Sequence, residues 1–266
     1  MIAMNTPDFQ RMKKDNKKIS MVTCYDYWSA CIISQSNVDC ILVGDSLAMV
    51  MYGHSTTLPA TVEIMAQHIQ AVSRGAPNKF IIGDMPFCSY RKDLTTSMNA
   101  VERLMQAGAQ AIKLEGADAH NLKFIHHVVK SGIPVIGHLG LTPQSIYTLG
   151  GFKVQGKEPS AAKKLMADAK ALAETGCFAM VLECVPSELA ELITHSISIP
   201  TIGIGAGPAT SGQVLVLQDL LGTNNQFQPK YLKKFLNGFE LIKKALDDFD
   251  QEVKTSTYPH LETHCY

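Results

Sequence analysis

The feature that most constrains the fold of this chain is a regular alternation of short apolar runs with segments of helical periodicity. Most of the runs are continuously apolar, which indicates strands covered on both faces, as in a parallel sheet. The predicted strands are Ile19–Thr23, Cys40–Val43, Phe80–Gly83, Ala111–Leu114, Pro134–Gly137, Ala179–Leu182, Thr201–Ile204 and Val214–Leu217. The predicted helices are Thr61–Arg74, Thr95–Ala107, Ala161–Thr175 and Tyr231–Phe249, with Gly108 and Gly176 ending the second and third.

Eight strands that alternate with helices in 266 residues predict an α/β fold, a single (β/α)8 TIM barrel. We expect one domain, residues 1–266, in which helical extensions flank the barrel at both ends. An open doubly wound sheet is the alternative architecture, because it shows the same alternation. Two long segments, Asp45–Ala60 and His138–Pro159, lack helical periodicity, and loops of this length are usually functional or disordered.

The composition excludes several classes of function. Lys and Arg number 24 and Asp and Glu number 24, so the zero net charge predicts no general attraction to nucleic acid or anionic membranes. No apolar run approaches the ~20 residues of a membrane span. The seven cysteines have no C-x-x-C spacing, and the polar N-terminus has no apolar signal core. We therefore expect reduced thiols and a cytoplasmic protein.

Charged or metal-binding side chains follow or close five successive predicted strands. In chain order they are Asp45, Asp84, Lys113 with Glu115, His138 and Glu183. Active sites of barrels lie at the carboxyl ends of the strands, so we expect these side chains to share one site. The alternative for each acid is a cap on the following helix. However, Asp45 opens a long loop and Asp84 precedes Met85-Pro86, and five such groups in succession favour a shared site.

The side chains of Lys113 and Glu115 fall on one face of their strand, because side chains alternate along a strand. Ile112 and Leu114 fall on the other face, which suits packing against helices. The charged pair is therefore predicted to point into the mouth of the barrel. A structural Lys113–Glu115 ion pair is the alternative.

Asp45, Asp84 and Glu115 predict a site for a hard cation, because they offer carboxylate oxygens with no Cys or His partner nearby. Oxygen ligands favour Mg²⁺, or Mn²⁺, and Mg²⁺ usually takes only one or two carboxylates directly. One of the three can therefore act through water. Glu183 is then free to serve as a general base.

Two further groups are weaker candidates. The segment Gly203-Ile204-Gly205-Ala206-Gly207 follows the seventh strand, where barrels often bind phosphate, but a turn that allows close backbone approach is the favoured interpretation. Four histidines are predicted to lie on the surface: His126, His127, His260 and His264.

With these residues assembled, the chain resembles the ketopantoate hydroxymethyltransferase family. The matching motifs include TCYDY (23–27), LVGDSLAMV (42–50), KLEG (113–116), GHLGLTPQS (137–145), GGFKVQG (150–156), LECVP (182–186) and GIGAG (203–207). The chain has Ala48, Ser211 and Gln218 where the family usually has Gly, Asp and His. These departures leave the predicted metal and base positions unchanged.

The resemblance implies a Mg²⁺-dependent barrel enzyme of pantothenate and coenzyme A biosynthesis. Such an enzyme transfers a one-carbon unit from 5,10-methylenetetrahydrofolate to 3-methyl-2-oxobutanoate through a Mg²⁺-stabilised enolate, giving ketopantoate (2-dehydropantoate). It also implies a homodecamer built from two facing pentamers, with small-molecule 2-oxoacid and folate partners.

Site roles carry over position by position from the same resemblance. It implies that the metal ligands are Asp45 and Asp84, with Glu115 close to the metal. The 2-oxoacid would be held by Asp45, Ser46, Asp84 and Lys113. Glu183 matches the proton acceptor. His138 is predicted either to orient or protonate groups near the donor, or to be a structural histidine of the rim.

Three other interpretations are open at the level of sequence. The first is another Mg²⁺-dependent 2-oxoacid enzyme of the phosphoenolpyruvate mutase/isocitrate lyase type, although the chain lacks a K-K-C-G-H motif. The second is a Schiff-base aldolase that uses Lys113. The third is a non-catalytic barrel that serves as a binding module.

Overall fold

A computed structural model describes residues 4–225 and 228–266 of the chain. Its strands form one closed parallel barrel in the order β1 to β8, and β8 pairs with β1. The strands are β1 (Ile19–Thr23), β2 (Cys40–Val43), β3 (Phe80–Asp84), β4 (Ala111–Glu115), β5 (Val135–Gly140), β6 (Ala179–Glu183), β7 (Thr201–Ile204) and β8 (Gly212–Leu215). The predicted (β/α)8 barrel is confirmed. The open doubly wound sheet is wrong, because the first and last strands are hydrogen-bonded to each other.

Helices precede, connect and follow the strands. They are α1 (Thr6–Lys14), α2 (Tyr27–Gln35), α3 (Leu47–Val50), α4 (Val62–Gly75), α5 (Leu94–Gln106), α6 (Ala119–Lys130), α7 (Ile146–Leu149), α8 (Pro159–Thr175), α9 (Ser187–Ser196), α10 (Leu217–Leu220), α11 (Gly238–Lys254) and α12 (Leu261–His264). A 3-10 turn, Pro143–Ser145, precedes α7. Gly108 and Gly176 have φ angles of +114° and +107°, so both adopt the backbone conformation that ends a helix, as predicted.

Strand ends differ from the sequence prediction in a way that matters for the site. Strands β3, β4 and β6 each run one residue further, so Asp84, Glu115 and Glu183 are their last residues. The last strand begins two residues earlier than predicted, at Gly212. A Cβ at this position would lie only 2.3 Å from the Ile19 carbonyl oxygen. Glycine therefore permits the close approach of β8 to β1.

Two helical predictions are corrected. The predicted helix Tyr231–Phe249 begins only at Gly238 and continues to Lys254. The residues before it form a turn in which the Phe235 amide donates to the Leu220 carbonyl at 2.8 Å and the Gly238 amide to the Leu221 carbonyl at 2.9 Å. The two long segments that lacked helical periodicity contain the short helices α3 and α7, which are too brief to show a period in sequence.

The barrel core is built from alternate residues of successive strands. It includes Ile19 and Met21 of β1, Cys40 and Leu42 of β2, Phe80 and Ile82 of β3, Ala111 of β4, Ile136 of β5, Ala179 and Val181 of β6, Ile202 of β7 and Val214 of β8. Phe9 of α1 closes the opposite end, with ring centroids 5.4 Å from Phe80 and 5.0 Å from Phe178. The same alternation, continued toward the strand ends, directs Asp84, Lys113, Glu115, His138 and Glu183 inward.

The chain divides into two compact units, Met1–Leu215 and Val216–Tyr266. The first unit holds the barrel and all the predicted site residues. The second contains α10, α11 and α12. No helix among the described residues combines the length and the apolar character that crossing a bilayer requires.

Candidate active site

The predicted rim residues meet at the carboxyl ends of β2 to β6, because neighbouring strands pair in register there. Asp84 pairs with Lys113, Glu115 with His138, and Gly140 with Glu183. None of the rim acids caps a helix. The N-cap position of α3, directly after β2, is Ser46, and the longer helices α4, α5 and α6 are capped by Thr61, Asp93 and Asp118. The capping alternative is therefore wrong for the rim acids.

Asp84 and Lys113 form the closest ion pair of this cluster. The Nζ of Lys113 lies 2.9 Å from Oδ2 of Asp84, and the same oxygen accepts the backbone amide of Asp45 at 3.1 Å. The distance from Lys113 Nζ to Glu115 Oε1 is longer, at 4.0 Å. Lys113 is thus shared by two carboxylates, with Asp84 as its principal partner.

Burial and like charges set the electrostatics of the carboxylates. Burial raises the pKa of Asp45 well above its usual value, and Asp84 and Glu115 raise it further. Burial also raises the pKa of Asp84, although Lys113 acts in the opposite direction. Burial alone would lower the pKa of Lys113, but Asp84, Glu115 and Asp45 outweigh burial and raise it. Lys113 therefore offsets only part of the cost of burying these carboxylates.

His138 lies between two carboxylates. Its Nδ1 is 3.5 Å from Glu115 Oε1 and its Nε2 is 3.3 Å from Glu183 Oε2, but neither contact has hydrogen-bond alignment. The same Nδ1 lies 3.3 Å from the Nζ of Lys113. A histidine thus lies beside Glu115, where the sequence predicted none. Burial and Lys113 lower the pKa of His138, but the contacts with Glu115 and Glu183 outweigh them and raise it to about 9. His138 therefore lies between Glu183 and the buried cluster.

Ser46 and Tyr25 extend the site on the side of β2. The hydroxyl groups of Tyr25 and Ser46 are 2.7 Å apart, and the Tyr25 side chain is fully buried. Ser46 begins the turn that leads into α3 and is partly exposed. The Ser46 hydroxyl is therefore held by a hydrogen bond with Tyr25. Because Ser46 is partly exposed, a small ligand can still contact it.

Sequence reasoning missed two contributors to this cluster, Tyr90 and Gln144. The Tyr90 hydroxyl donates to the Gln144 side-chain oxygen at 2.8 Å, and the Gln144 side-chain nitrogen donates to Oδ2 of Asp45 at 2.9 Å. Both residues are buried. Gln144 falls inside the long segment 138–159, which the sequence predicted to be functional or disordered. A single Gln is not by itself typical of a metal site or of an acid–base group.

The donor atoms fit a hard cation such as Mg²⁺. Oδ1 of Asp84 and Oε1 of Glu115 are buried and accept no hydrogen bond, which is costly for a carboxylate oxygen. Within residues 4–225 and 228–266, no group of three or more His, Cys, Asp or Glu side chains is arranged to hold a metal. Mg²⁺ does not require such a group, because it commonly takes one or two carboxylates with water and substrate. The ligand set Asp45, Asp84 and Glu115 stays a prediction.

The weaker candidates lie outside this cluster. A Cβ on Gly207 would lie 2.0 Å from the Ser187 Oγ, and Gly205 and Gly207 have φ angles of +63° and +77°. The glycine-rich segment is thus a turn that allows close approach, as the sequence favoured. The four surface histidines, His126, His127, His260 and His264, are exposed as predicted.

Fold and site together define a (β/α)8 enzyme scaffold with a buried carboxylate–lysine cluster at its catalytic rim. Residues 3–261 match the sequence profile of ketopantoate hydroxymethyltransferase, and the chain belongs to that family. The predicted family and the predicted class of hydroxymethyltransferase are confirmed.

Individual relatives agree with the family. The 3-methyl-2-oxobutanoate hydroxymethyltransferase of Coxiella burnetii (strain CbuK_Q154) is 99% identical over 266 residues, which is 100% of both chains. The enzyme of the same name from Bdellovibrio bacteriovorus is 59% identical over 252 residues, 95% of each chain.

Solved structures with low sequence identity share the fold. A phosphonopyruvate hydrolase structure superposes with a TM-score of 0.63 at 10% identity and covers 95% of this chain and 88% of its own. A 2,3-dimethylmalate lyase of the phosphoenolpyruvate mutase/isocitrate lyase superfamily has a TM-score of 0.60 at 14% identity, with 98% and 91% covered. At these identities the likeness shows the fold alone.

The position of Lys113 among buried carboxylates generates a stability prediction. The variant Lys113→Met leaves Asp84 without its buried cation, so we expect the free energy of unfolding to fall by about 3–5 kcal/mol. Urea unfolding in the presence of a chelator measures this, so that no divalent cation replaces the lost charge. Lys92→Met removes an exposed lysine and is the matched control. Equal stability of the two variants would contradict the account.

Proposed function

We propose that this chain transfers a one-carbon unit from 5,10-methylenetetrahydrofolate to 3-methyl-2-oxobutanoate and so produces ketopantoate. The names of the relatives state the acceptor and the hydroxymethyl group. The folate donor, the divalent cation and the role in pantothenate and coenzyme A biosynthesis are inferences from the family resemblance. The arrangement of the rim residues supports the chemistry as follows.

The observation that carries the proposal is the contrast in exposure between Glu183 and the other rim carboxylates. The Glu183 side chain is 17% exposed, whereas the side chains of Asp84 and Glu115 are 1% and 3% exposed. A general base must reach a proton of the substrate. Glu183 is open to a ligand at the mouth of the barrel, while the buried acids suit charge compensation instead.

In the proposed reaction Glu183 removes the proton from C3 of the 2-oxoacid. The carbon nucleophile that results forms a bond to the one-carbon unit, and both bonds from the one-carbon unit to the folate nitrogens N5 and N10 break. One is replaced by the bond to C3 and the other by the bond to the oxygen of water, which becomes the new hydroxyl group. The two protons released, one from C3 through Glu183 and one from water, end on the two folate nitrogens. His138 lies beside the Glu183 carboxylate, with 3.3 Å between Nε2 and Oε2, and would orient it once the two atoms align as a hydrogen bond.

The divalent cation would be held by Asp45 and Asp84, with Glu115 beside it. When bound, Mg²⁺ or Mn²⁺ supplies positive charge that stabilises negative charge on the substrate oxygens. The buried oxygens of Asp84 and Glu115 that accept no hydrogen bond support this assignment. Ser46 would donate a hydrogen bond to the 2-oxoacid, with the Tyr25 hydroxyl, 2.7 Å away, as the donor to Ser46 Oγ.

Lys113 is assigned to the binding of the substrate carboxylate and to charge compensation. A Schiff-base nucleophile must be a neutral amine, whereas the surrounding carboxylates raise the pKa of Lys113 and keep it protonated. This favours a charge-stabilised mechanism over the Schiff-base alternative. Cytoplasmic location and assembly into a homodecamer stay predictions from the sequence.

An assay of product formation tests the proposed function. We expect ketopantoate, identified by NMR, when the chain is incubated with 3-methyl-2-oxobutanoate, methylenetetrahydrofolate and Mg²⁺. A chelator should abolish the product and Mn²⁺ should restore it. Phosphonopyruvate and 2,3-dimethylmalate, assayed in parallel, represent the alternative of a mutase- or lyase-type enzyme. Turnover of either of these without ketopantoate formation would contradict the proposal.

The role of Glu183 predicts a specific defect. Glu183→Gln keeps the size of the side chain but cannot accept the C3 proton, so kcat should fall by roughly 10²–10⁴. Binding of 3-methyl-2-oxobutanoate, measured by calorimetry with Mg²⁺, should change little. Glu188→Gln, on the exposed side of α9, is the matched control. Loss of binding, or turnover at the wild-type rate, would show that Glu183 is not the base.

A further inference from the structure

Gln144 contacts more segments of the catalytic rim than its single polar side chain would suggest. Its backbone amide donates to Oε2 of Glu115 at 3.0 Å. Its Nε2 donates to Oδ2 of Asp45 and to the Met85 carbonyl, both at 2.9 Å. Its Oε1 accepts from the Tyr90 hydroxyl at 2.8 Å. One residue therefore joins the loops after β2, β3 and β5 to the last residue of β4.

The orientation of the Gln144 amide follows from these partners. The nitrogen faces a carbonyl oxygen and a carboxylate oxygen, both of which only accept hydrogen bonds. A flipped amide would place its oxygen against both acceptors, so this orientation is the one that the network allows. The Tyr90 hydroxyl completes the arrangement as the donor to the remaining amide oxygen. Both Nε2 hydrogens are thus used, and the side chain has no rotational freedom to exchange partners.

The contacts divide the oxygens of the carboxylates into two kinds. Gln144 binds Oδ2 of Asp45 and Oε2 of Glu115, while the Asp45 amide and Lys113 bind Oδ2 of Asp84. Oε1 of Glu115 and Oδ1 of Asp84 accept no hydrogen bond. Each of these two buried carboxylates therefore has one oxygen that accepts hydrogen bonds from the protein and one that accepts none, although Oε1 of Glu115 also lies 3.5 Å from His138 Nδ1 and 4.0 Å from Lys113 Nζ.

We propose that Gln144 is a positioning residue that orients Asp45 and Glu115 for the divalent cation, and that Tyr90 in turn orients Gln144. This inference rests on the proposed function, because the cation is part of that function. Gln144 itself touches neither substrate nor cation. It acts by fixing the direction of the two carboxylates before a cation arrives, which avoids the cost of reorganising them on binding.

The proposal predicts a weaker affinity for divalent cations in Gln144→Met. This variant keeps the approximate volume of the side chain and the backbone donation to Glu115, but it loses the hydrogen bonds to Asp45, Met85 and Tyr90. Loss of a residue that orients metal ligands typically costs 10–100-fold in metal affinity. We expect a Mn²⁺ dissociation constant raised by about that factor, measured by electron paramagnetic resonance of free Mn²⁺ without substrate.

A second variant and a control separate positioning from general destabilisation. Tyr90→Phe leaves every contact between Gln144 and the carboxylates in place and removes the donor to Oε1, together with a longer hydrogen bond of 3.4 Å from the Tyr90 hydroxyl to the Glu115 carbonyl. It should therefore weaken Mn²⁺ binding by a smaller factor. Gln106→Met makes the same chemical change on α5, where the side chain is exposed and bonds Glu102. The control should bind Mn²⁺ as the wild type does. All titrations are made well below each variant's melting temperature, where a purely structural role would leave the affinity unchanged.

The outcomes distinguish this inference from the proposed function. If Gln144→Met and Tyr90→Phe bind Mn²⁺ as tightly as the wild type, the positioning role is wrong, whatever their activity. If Gln144→Met does not fold, an unchanged affinity in Tyr90→Phe alone overturns the role assigned to the pair. If the variants bind Mn²⁺ more weakly but the wild type makes no ketopantoate, Gln144 keeps its role and the proposed reaction is wrong.

Discussion

The ion pair between Lys113 and Asp84 is the interaction on which the rest of the site depends. Both side chains are almost fully buried, and their charged atoms are 2.9 Å apart. Burial penalises every carboxylate in this cluster and raises the pKa of both Asp45 and Asp84. Without a buried cation these acids would be driven toward their neutral forms. Lys113 thus favours the ionised forms of these carboxylates, which are the forms that would bind a divalent cation.

The barrel supplies this arrangement through simple strand geometry. Alternate residues such as Phe80 and Ile82 of β3, or Ala179 and Val181 of β6, fill the interior with apolar side chains. The next residue of each inward row is Asp84 or Glu183, so the same periodicity that builds the core ends in the site. Asp84, Glu115 and Glu183 are the last residues of their strands, so the hydrogen bonds of the barrel fix the backbone at these positions. Gln144, in the loop after β5, then connects these strand ends through its hydrogen bonds to Asp45 and Glu115.

The sequence predicted the barrel, the family and the rim residues. These predictions depend on apolar periodicity, on sequence motifs and on the charged residues that follow each predicted strand, all of which are local features of the sequence. It did not reveal the partners of each charge. Lys113 was paired with Glu115 in the structural alternative, yet it lies closer to Asp84, since parallel register brings the neighbouring strand nearer than the next residue on the same face. Gln144 and Tyr90 were missed because their contacts join residues that are 99 and 54 positions apart. Likewise, the start of α11 was misplaced because tertiary hydrogen bonds to Leu220 and Leu221 override helical periodicity there.

The central claim is that Glu183 removes the C3 proton next to a cluster that requires a divalent cation. Proton NMR of 3-methyl-2-oxobutanoate in D₂O, with the chain and with or without tetrahydrofolate, tests it most directly. The account predicts loss of the C3 proton signal with Mg²⁺, no loss with a chelator, and a greatly reduced rate in Glu183→Gln. Exchange that persists in the chelator, or that is as fast in Glu183→Gln as in the wild type, would contradict it.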